Sequence, residues 1–247
     1  MTVLIVTGGS RGIGAATCRL AAARGFDVVV NYTSDESSAE QVVSEIVAAG
    51  GQALPVRADV SKEDDVDALF AAAAERGRLS GLVNNAGITG NKLARLDEQD
   101  ADTVRAVLDV NVTGVFLCAR AAVKRMSTRY GGHGGVIVNV SSTAAHRGSP
   151  GEWVHYAASK AAVETLTKGL AQEVAGEGIR VNAVAPGLVE TEVHARAGAP
   201  DRLERVAPLI PMGRAGQPEE IAEGIVWLLT SAASFVTGSV LTISGGR

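Results

Sequence analysis

Residues with specialised chemistry are scarce in this chain of 247 residues. Its two cysteines, Cys18 and Cys118, each fall within an apolar helical pattern, so we expect buried thiols rather than a disulfide or a metal site. Reduced thiols suit a reducing compartment, and we therefore predict a cytoplasmic protein. The four histidines do not have the spacing of metal ligands, so we assign no metal.

Excess basic charge and long apolar runs are also lacking. The formal net charge is −4 and the Lys and Arg residues are scattered, so we expect no nucleic-acid partner. No stretch approaches the ~18 uninterrupted apolar residues that a membrane span requires, and the apolar start is too short for a signal sequence. We expect no membrane association. With 46% hydrophobic residues the chain can form one large core, and we predict a single domain over residues 1–247.

What the chain does have is a regular alternation of short apolar strands and helical patterns. This alternation predicts an α/β fold, a Rossmann-type doubly wound parallel sheet with helices on both faces. In the third unit, the spacing Ser61-x-x-Asp64 predicts a capped helix start. The predicted strands are Val3–Val6, Val28–Tyr32, Ala53–Arg57, Leu82–Val83, Val136–Val140, Arg180–Val184 and Val240–Ile243. The predicted helices are Ala15–Arg24, Ser38–Ala49, Asp64–Arg76, a stretch from about Asp100 to Arg129, the Tyr156 helix with its apolar run Ala161–Ala175, and Pro218–Thr230.

The first strand leads directly into a glycine-rich loop, Thr7–Gly14. Its glycines follow the spacing Gly8-x-x-x-Gly12-x-Gly14, which differs from the common G-x-G-x-x-G form. Glycines let a backbone approach a ligand closely, and the start of the next helix attracts an anion such as a pyrophosphate. This order predicts a dinucleotide site, although a glycine-rich turn without a ligand would show the same pattern.

The residues after the second strand indicate which dinucleotide is bound. NAD sites place an Asp or Glu there to bind the ribose hydroxyls, whereas NADP sites supply a cation for the 2′-phosphate. This chain has Asn31-Tyr32-Thr33 at that place and Arg11 in the glycine loop. The combination favours NADP(H). NAD(H) would be bound instead if Asp35 or Glu36 served as the acid.

Tyr156 and Lys160 are four residues apart in a helical run, so their side chains share one face of the helix. A neighbouring cation favours the phenolate and lowers the pKa of a tyrosine. Such a phenol can give a proton to a carbonyl oxygen or take one from an alcohol. An amphipathic helix that merely contains both residues would show the same spacing.

Six motifs spread over nearly the whole chain occur in the order and spacing of one known family. They are Thr7-Gly8-x-x-x-Gly12-x-Gly14, Asn84-Asn85-Ala86-Gly87, Asn111, Ser142, Tyr156-x-x-x-Lys160 and Pro186-Gly187. The chain thus resembles the short-chain dehydrogenase/reductase family. Within that family it is similar to the bacterial oxidoreductases labelled glucose 1-dehydrogenase-like or 3-oxoacyl-[acyl-carrier-protein] reductase-like.

The resemblance implies four catalytic residues. Tyr156 matches the general acid/base, and Lys160 the partner that lowers its pKa and holds the nicotinamide ribose. Ser142 matches the hydroxyl that polarises the substrate carbonyl or alcohol, and Asn111 the residue that keeps a proton-relay water in place. Because Ser141 precedes Ser142, a shift of one position is the alternative. For Asn111 and Ser142 taken alone, a structural hydrogen bond is the default.

The resemblance also implies the contacts of the cofactor. The glycine loop corresponds to the pyrophosphate site, Asp59-Val60 to the adenine edge, and Pro186-Gly187 to the nicotinamide end. The segment Asn84–Gly87 would alternatively tie neighbouring strands together by side-chain hydrogen bonds. The implied cofactor-binding residues are Gly8, Ser10, Arg11, Gly12, Ile13, Gly14, Asn31, Tyr32, Asp59, Val60, Asn85, Ala86, Gly87, Tyr156, Lys160, Pro186, Gly187, Val189 and Thr191.

Three functions are open at this point. The leading hypothesis is an NADP(H)-dependent oxidoreductase that transfers hydride between the nicotinamide and a carbonyl or secondary alcohol of a small polar or sugar-like substrate. The nearest alternative is a 3-oxoacyl-[acyl-carrier-protein] reductase-type ketoreductase, which would need a basic patch near the site, for which Arg125, Arg129 and Arg180 are candidates. A non-catalytic dinucleotide-sensing protein is the third, and the intact catalytic set argues against it.

Two segments, residues 143–154 and 190–212, are expected to line the substrate pocket, the second resembling the family's mobile lid. Trp153 would either line this pocket or simply pack. Surface or hydrogen-bonding roles are expected for the histidines, rather than catalysis: His133, His146, His155 and His194. The resemblance further implies a homotetramer that pairs through the long helices and residues 235–247, although burial within one subunit would explain the same apolar faces.

Overall fold

Seven parallel strands form one sheet in the computed structural model, which describes residues 2–192 and 197–247. The strands are β1 (Thr2–Val6), β2 (Asp27–Tyr32), β3 (Gln52–Arg57), β4 (Arg78–Asn84), β5 (Gly135–Val140), β6 (Ile179–Pro186) and β7 (Val240–Ile243). Their spatial order is β3-β2-β1-β4-β5-β6-β7, so the chain leaves the middle of the sheet first towards one edge and then towards the other. The carboxyl ends of β1 and β4 therefore border the crevice where ligands bind in such sheets.

Helices cover both faces of this sheet. In the described part of the chain they are α1 (Gly12–Ala23), α2 (Glu36–Ala48), α3 (Glu63–Arg76), α4 (Ala101–Leu108), α5 (Gly114–Met126), α6 (Ala144–Arg147), α7 (Val154–Val174), Arg202–Val206 and Pro218–Leu229. One apolar core lies between the sheet and the helices α1, α2 and Pro218–Leu229, and a second core lies between the sheet and α3, α5 and α7. The predicted doubly wound α/β fold is confirmed.

The first strand shows why the chain forms a sheet buried on both faces. Leu4 and Val6 pack into one core, and Val3 and Ile5 pack into the other, each with no exposed surface. Successive side chains of a strand point to opposite faces, so a strand covered on both faces is apolar at every position. Burial of each such side chain stabilises the fold by roughly 1.5–3 kcal/mol.

Two predicted boundaries differ from the structure for physical reasons. The strand expected at Leu82–Val83 begins at Arg78, because its first residues pair with the start of β1. The capped start expected at Ser61 is wrong, since α3 begins at Glu63 and the Ser61 hydroxyl donates to Asp59 Oδ1 at 2.7 Å. A carboxylate two residues away therefore takes the hydroxyl that would have capped the helix.

The long helical stretch is interrupted by a π-helical turn, Asp109–Thr113, between α4 and α5. Residues 101–126 are long and apolar enough to cross a membrane, because an 18-residue window within them has a mean hydropathy of 1.6. This is weak evidence for a span, because a core helix passes the same test. In this structure Cys118, Ala122 and Met126 pack into the core that α3 and α7 share.

Both cysteines are buried and unpaired, as expected from the sequence. Burial raises the pKa of the Cys118 thiol to about 12 and raises that of Cys18 as well. Such thiols are neutral near pH 7 and unreactive. Among the described residues no group of three His, Cys, Asp or Glu side chains is arranged to hold a metal.

One ion pair joins a helix end to the sheet. Asp27, at the start of β2, is 2% exposed and accepts two hydrogen bonds of 2.9 Å from Arg76 at the end of α3. Removing one partner of a buried pair leaves an unpaired charge in a medium of low polarity. This pair therefore fixes α3 on the sheet next to β2.

We expect Arg76→Met to lower the free energy of unfolding by about 2 kcal/mol, because the Asp27 carboxylate loses the counter-charge of Arg76, while Arg76 itself is partly exposed. Urea unfolding at constant protein concentration measures the loss. Arg105→Met is the matched control, since the exposed Arg105–Asp102 pair contributes less than about 1 kcal/mol. Equal losses in the two variants would contradict the role of Asp27.

Candidate active site

A cavity of about 1350 Å³ opens at the carboxyl edge of the sheet. Single-ligand sites have volumes of roughly 300–1,000 Å³, so this cavity is large enough for two ligands side by side. The glycine loop, the ends of β4 and β5, the start of α7 and the segment after β6 contribute to its wall. The expected substrate-pocket segments line it in their described parts.

The glycine loop has no room for side chains where it meets α1. A Cβ on Gly14 would lie 2.2 Å from the Gly8 carbonyl oxygen, and Gly8 and Gly12 have φ angles of +61° and +50°. Arg11, at the N-cap of α1, makes no side-chain capping bond, so the first N–H groups of this helix lack that partner. A loop of this shape at a helix start suits a pyrophosphate.

Asn31 is not available for the cofactor contact that we expected. Its side chain is 1% exposed, accepts from Gly8 N at 3.2 Å and donates to Ala58 O at 3.0 Å. The amide therefore lies beneath the glycine loop and satisfies backbone groups there, and it does not line the cavity. A buried amide without hydrogen-bond partners would destabilise the fold, which explains why the Asn31 side chain bonds to backbone groups.

The Asn84–Gly87 segment matches the structural alternative for its two amides. Asn85 Nδ2 donates to the carbonyl oxygens of Thr7 and Gly8, each at 2.9 Å. Asn84 Nδ2 donates to Asn139 Oδ1 at 2.9 Å, which links β4 to β5. These bonds hold the glycine loop against β4. The cavity is then lined by Asn85 together with Ala86 and Gly87.

Arg11 stands at the end of the cavity next to β2. Its Nη1 atom is buried and has no hydrogen-bond partner, and it lies 3.6 Å from Asp35 Oδ2. The Asp35 carboxylate accepts from the hydroxyl and the N–H of Ser38, which lower its pKa, and caps α2. Arg11 thus has a donor without a hydrogen-bond partner at this end of the cavity, and Asp35 is committed to a helix end.

Three predicted cofactor residues line this part of the cavity, namely Tyr32, Asp59 and Val60. Two residues that we did not predict as cofactor contacts, Thr33 and Ser34, also line it. The two hydroxyls follow β2 directly, so their position at a strand end was the available signal. The remaining predicted residues in the wall are Gly8, Ser10, Gly12, Ile13, Pro186, Gly187, Val189 and Thr191.

The end of β5 presents Ser142, rather than Ser141, to the cavity. Ser141 is buried, and its hydroxyl donates to Glu164 Oε1 at 2.8 Å. Ser142 and Tyr156 both line the cavity, and the Ser142 hydroxyl is close enough to the phenol to lower its pKa. The structure therefore brings the expected serine and tyrosine together at one point.

The pKa of Tyr156 does not shift in the direction that we expected. Burial raises it, while the hydrogen bond from Ser142 and the charge of Arg202 oppose that rise. Tyr156 lines the cavity and is partly exposed. Lys160 Nζ lies 5.7 Å from the centre of the ring and makes no direct bond to the phenol.

Lys160 is instead held by the end of β5. Its side chain is 4% exposed, Nζ donates to Val140 O at 2.8 Å, and burial lowers its pKa to about 8. A Cβ on Gly87 would lie 3.3 Å from both Lys160 Nζ and Asn111 Oδ1. The two polar groups therefore converge beneath the β4 loop.

Asn111 lies in the π-helical turn and has no exposed surface. It accepts from Ile88 N at 2.9 Å and donates to Ile88 O at 2.8 Å and to Ser159 Oγ at 3.0 Å. These bonds tie the β4 loop to α7. Single π-helical turns are frequent at functional sites, and this one aims the Asn111 amide at the Lys160 side of the site.

The far end of the cavity is aromatic and cationic. Trp153 is 4% exposed, donates to Lys92 O at 3.0 Å and packs with Tyr156 against Ala197 and Ala199. The Arg202 guanidinium lies over its ring, 4.7 Å from the ring centre. Trp153 thus packs in this cluster and also lines the cavity. Arg147 and Arg202 line this end, as does Arg247.

The described histidines near the site take part in structural hydrogen bonds. His155 is buried with Nε2 3.0 Å from Thr89 O, and His146 Nε2 lies 3.0 Å from Glu164 Oε2. His194 lies outside the described residues. The candidate docking arginines are also displaced from the site. Arg125, Arg129 and Arg180 precede or begin β5 and β6, at the opposite edge of the sheet, and none lines the cavity.

Comparisons with known proteins agree with this geometry. A family model described as "Enoyl-(Acyl carrier protein) reductase" matches residues 8–247. The "Uncharacterized oxidoreductase YgfF" of Escherichia coli (strain K12) is 52% identical over the full length of both chains. The "Cis-4-hydroxycyclohexanecarboxylate dehydrogenase" of Sinomonas cyclohexanicum is 45% identical and covers 99% of this chain and 95% of its own.

A solved structure gives the same result. A short-chain dehydrogenase from Burkholderia cenocepacia J2315 in complex with NADP has a TM-score of 0.90 and 34% identity, over 99% of this chain and 97% of that chain. The chain belongs to the short-chain dehydrogenase/reductase family. It is an oxidoreductase that acts on hydroxyl or keto groups, in a family that binds nicotinamide dinucleotides.

The lowered pKa of Lys160 predicts a pH-dependent stability. Between pH 8 and the ordinary lysine pKa of 10.5, the unfolded chain holds this proton and the folded chain releases it. The free energy of unfolding therefore rises with pH in this window. Below the window, the folded state bears the full cost of burying a charged Lys160. Relative to Lys160→Met, the wild type should gain about 2 kcal/mol from pH 8 to 10. Urea unfolding without nucleotide measures this gain. Lys168→Met, exposed on the same helix, should follow the wild type, and parallel profiles for all three proteins would contradict the assignment.

Proposed function

We propose that this protein is an NADP(H)-dependent oxidoreductase that interconverts a carbonyl and a secondary alcohol on a small polar substrate. The observation that supports this proposal most directly is that Tyr156 and Ser142 lie together in the wall of the cavity that begins at the glycine loop. A phenol and a hydroxyl at one point can both bind the same substrate oxygen. Family membership and the catalytic set leave no case for a non-catalytic sensor.

The proposed roles follow from where each group lies. When bound, the nicotinamide supplies or accepts the hydride. In the reducing direction the carbonyl carbon gains that hydride and Tyr156 gives a proton to its oxygen, so C=O becomes CH–OH as the dinucleotide is oxidised. Ser142 donates to or accepts from the same oxygen and fixes its position. Lys160 and Asn111, which converge below Gly87, hold the ribose and the proton-relay path in this proposal.

The proposed preference for NADP(H) rests on Arg11. A buried guanidinium nitrogen without a hydrogen-bond partner is suited to an additional anion, and a phosphate forms strong charge-assisted bonds with Arg. The hydroxyls of Thr33 and Ser34 are further donors at that end. The relative of known structure that contains NADP supports the same preference.

An acyl-thioester ketoreductase is the second candidate. The description of the matching family model names an acyl-carrier-protein substrate, and the same tyrosine and serine would serve that chemistry. The named Sinomonas relative acts instead on a hydroxycyclohexanecarboxylate, which is a small molecule. An acyl-carrier-protein substrate would need a basic patch near the site, for which Arg125, Arg129 and Arg180 were the candidates. These arginines lie at the opposite edge of the sheet, so the small substrate is our first choice.

We also propose a cytoplasmic homotetramer. Phe116 on α5 is 51% exposed, and Trp227 and Phe235 near the C-terminal segment are exposed as well. Exposed large apolar side chains on two separate faces are typical of surfaces buried by other subunits. The unpaired buried thiols are compatible with a reducing compartment.

Tyr156→Phe should bind NADPH as the wild type does and lose at least about 100-fold in turnover, because the variant keeps the ring but has no proton to transfer. NADPH consumption with a panel of ketones and sugars measures the rate, and nicotinamide fluorescence measures binding. Tyr130→Phe, on the exposed surface at the other end of the sheet, is the control. Turnover of Tyr156→Phe near the wild-type rate would sink the assignment.

Arg11→Gln should weaken NADPH binding by about 10-fold or more and change NADH binding little, because only NADPH carries the 2′-phosphate. Asp35→Asn keeps an acceptor for the cap of α2 and removes a competing anion, so it should tighten NADPH binding. Fluorescence titration with both nucleotides measures the affinities of the wild type and of each variant. Arg24→Gln, at the exposed end of α1, is the control. A wild-type preference for NADH would contradict the proposal.

A further inference from the structure

The charged side chains at the far end of the cavity do not balance. Three guanidinium side chains, those of Arg147, Arg202 and Arg247, accompany one carboxylate side chain there, that of Glu152. Arg147 and Arg202 each lie within electrostatic range of Arg247, whose pKa is lowered by burial and then by repulsion from these two cations. Like charges gathered in a cavity cost free energy unless an anion joins them.

The other acids of the wall do not provide that anion. Glu190, Glu192 and Glu219 belong to the side of the cavity formed by residues 188–192 and 218–219, where Thr191 approaches the glycine loop and Glu190 acts on Arg214. Within the described residues, no carboxylate lies in salt-bridge distance of the Arg147 or Arg247 side chain. The positive end is therefore distinct from the acidic side.

Arg202 is the best-positioned of the three cations. Its side chain is 15% exposed, lies over the Trp153 ring, and donates from Nη1 to Glu152 Oε1. Its Nε is buried and has no hydrogen-bond partner. A guanidinium binds a carboxylate side-on through Nε and the neighbouring nitrogen, so the Nε edge keeps an unsatisfied donor for a carboxylate while Glu152 holds Nη1.

The unpartnered Nε edge of Arg202 lies beside the reacting groups. Trp153 and Tyr156 are one turn apart at the start of α7 and pack in the same small cluster, and Arg202 covers the Trp153 ring. A molecule with its carbonyl oxygen at Tyr156 and Ser142 would therefore extend towards Arg202. Arg202 offers one planar edge, and Glu152 already compensates part of the positive charge. A carboxylate with a single charge matches this arrangement better than a phosphate with two charges.

We propose that the substrate is a small oxo or hydroxy acid whose carboxylate binds Arg202, with Arg147 and Arg247 adding positive charge at the same end. This inference rests on the proposed function and names its substrate class. Arg202 acts here as a substrate-binding residue. Glu152 and Trp153 are positioning residues that fix its orientation.

The test compares ligands that differ only in charge. The probes are 4-oxopentanoate and 4-oxopentanamide, and the same pair one carbon longer, each titrated with and without NADP⁺ by calorimetry. With NADP⁺ the wild type should bind at least one acid on the order of tenfold more tightly than its amide, because only the acid forms charge-assisted bonds. Acid and amide of equal affinity in both pairs would overturn the proposal.

Two variants assign the preference to Arg202. Glu152→Gln/Arg202→Met removes the arginine without leaving an unpaired acid, and it should lose the preference while binding the amide as before. Arg147→Met, at an exposed position, should lose about threefold for the acid alone and covers the case in which the double variant misfolds. Arg129→Met removes a distant charge and should change neither affinity. If the double variant folds and keeps the full preference, the proposal is overturned. If the double variant does not fold, full retention of the preference by Arg147→Met overturns it.

Further measurements separate the rival explanations. If methylphosphonate competes with the bound oxo acid better than acetate does, the choice of a carboxylate is overturned. Faster reduction of an acyl-carrier thioester than of every free oxo acid would overturn the small acid and favour the ketoreductase. NADPH and NADP⁺ binding is measured separately, so its absence would sink the proposed function itself, whereas normal nucleotide binding without an acid preference would sink only this inference.

Discussion

The close contact between Gly8 and Gly14 is the constraint on which the rest of the structure depends. A Cβ at Gly14 would fall 2.2 Å from the Gly8 carbonyl oxygen, so β1 can turn into α1 at this distance only without a side chain. The turn leaves backbone groups that need partners, and Asn31 and Asn85 supply them from β2 and β4. Three neighbouring strands are thereby fixed around one loop. The cavity begins where that loop meets the helix start.

Much of the fold follows from sequence periodicity, because a sheet covered on both faces needs continuous apolar strands, and these are easy to recognise. The run Val3–Val6 and the exact agreement at Val240–Ile243 illustrate this. Boundaries were less predictable where a local acceptor competes, as at Ser61, whose hydroxyl turns to Asp59. The spacing of Tyr156 and Lys160 gave their common helix face. It could not give their environment, since that depends on β5, which is distant in sequence.

The misjudged features of the site share one cause. The number of hydrogen bonds that a buried amide makes is a tertiary property, so Asn31 looked like a ribose contact but supports the loop. The phenol of Tyr156 was expected to respond to Lys160, yet Nζ is engaged by Val140 O and a different cation, Arg202, acts on the phenol. Arg202 could not be singled out among the charges after residue 190, because only the folded segment places it over Trp153.

The same arginine links substrate binding to proton transfer. Its positive charge opposes the rise in the pKa of Tyr156, and a carboxylate bound at its unpartnered Nε edge would cancel much of that charge. The pKa of the phenol would then rise further once an acidic substrate is in place. A phenol that keeps its proton is ready to donate it to a carbonyl oxygen, so an oxo acid would itself favour the protonation state that its reduction requires. A neutral ketone would lack this effect, which gives charge recognition a part in the chemical step as well as in binding.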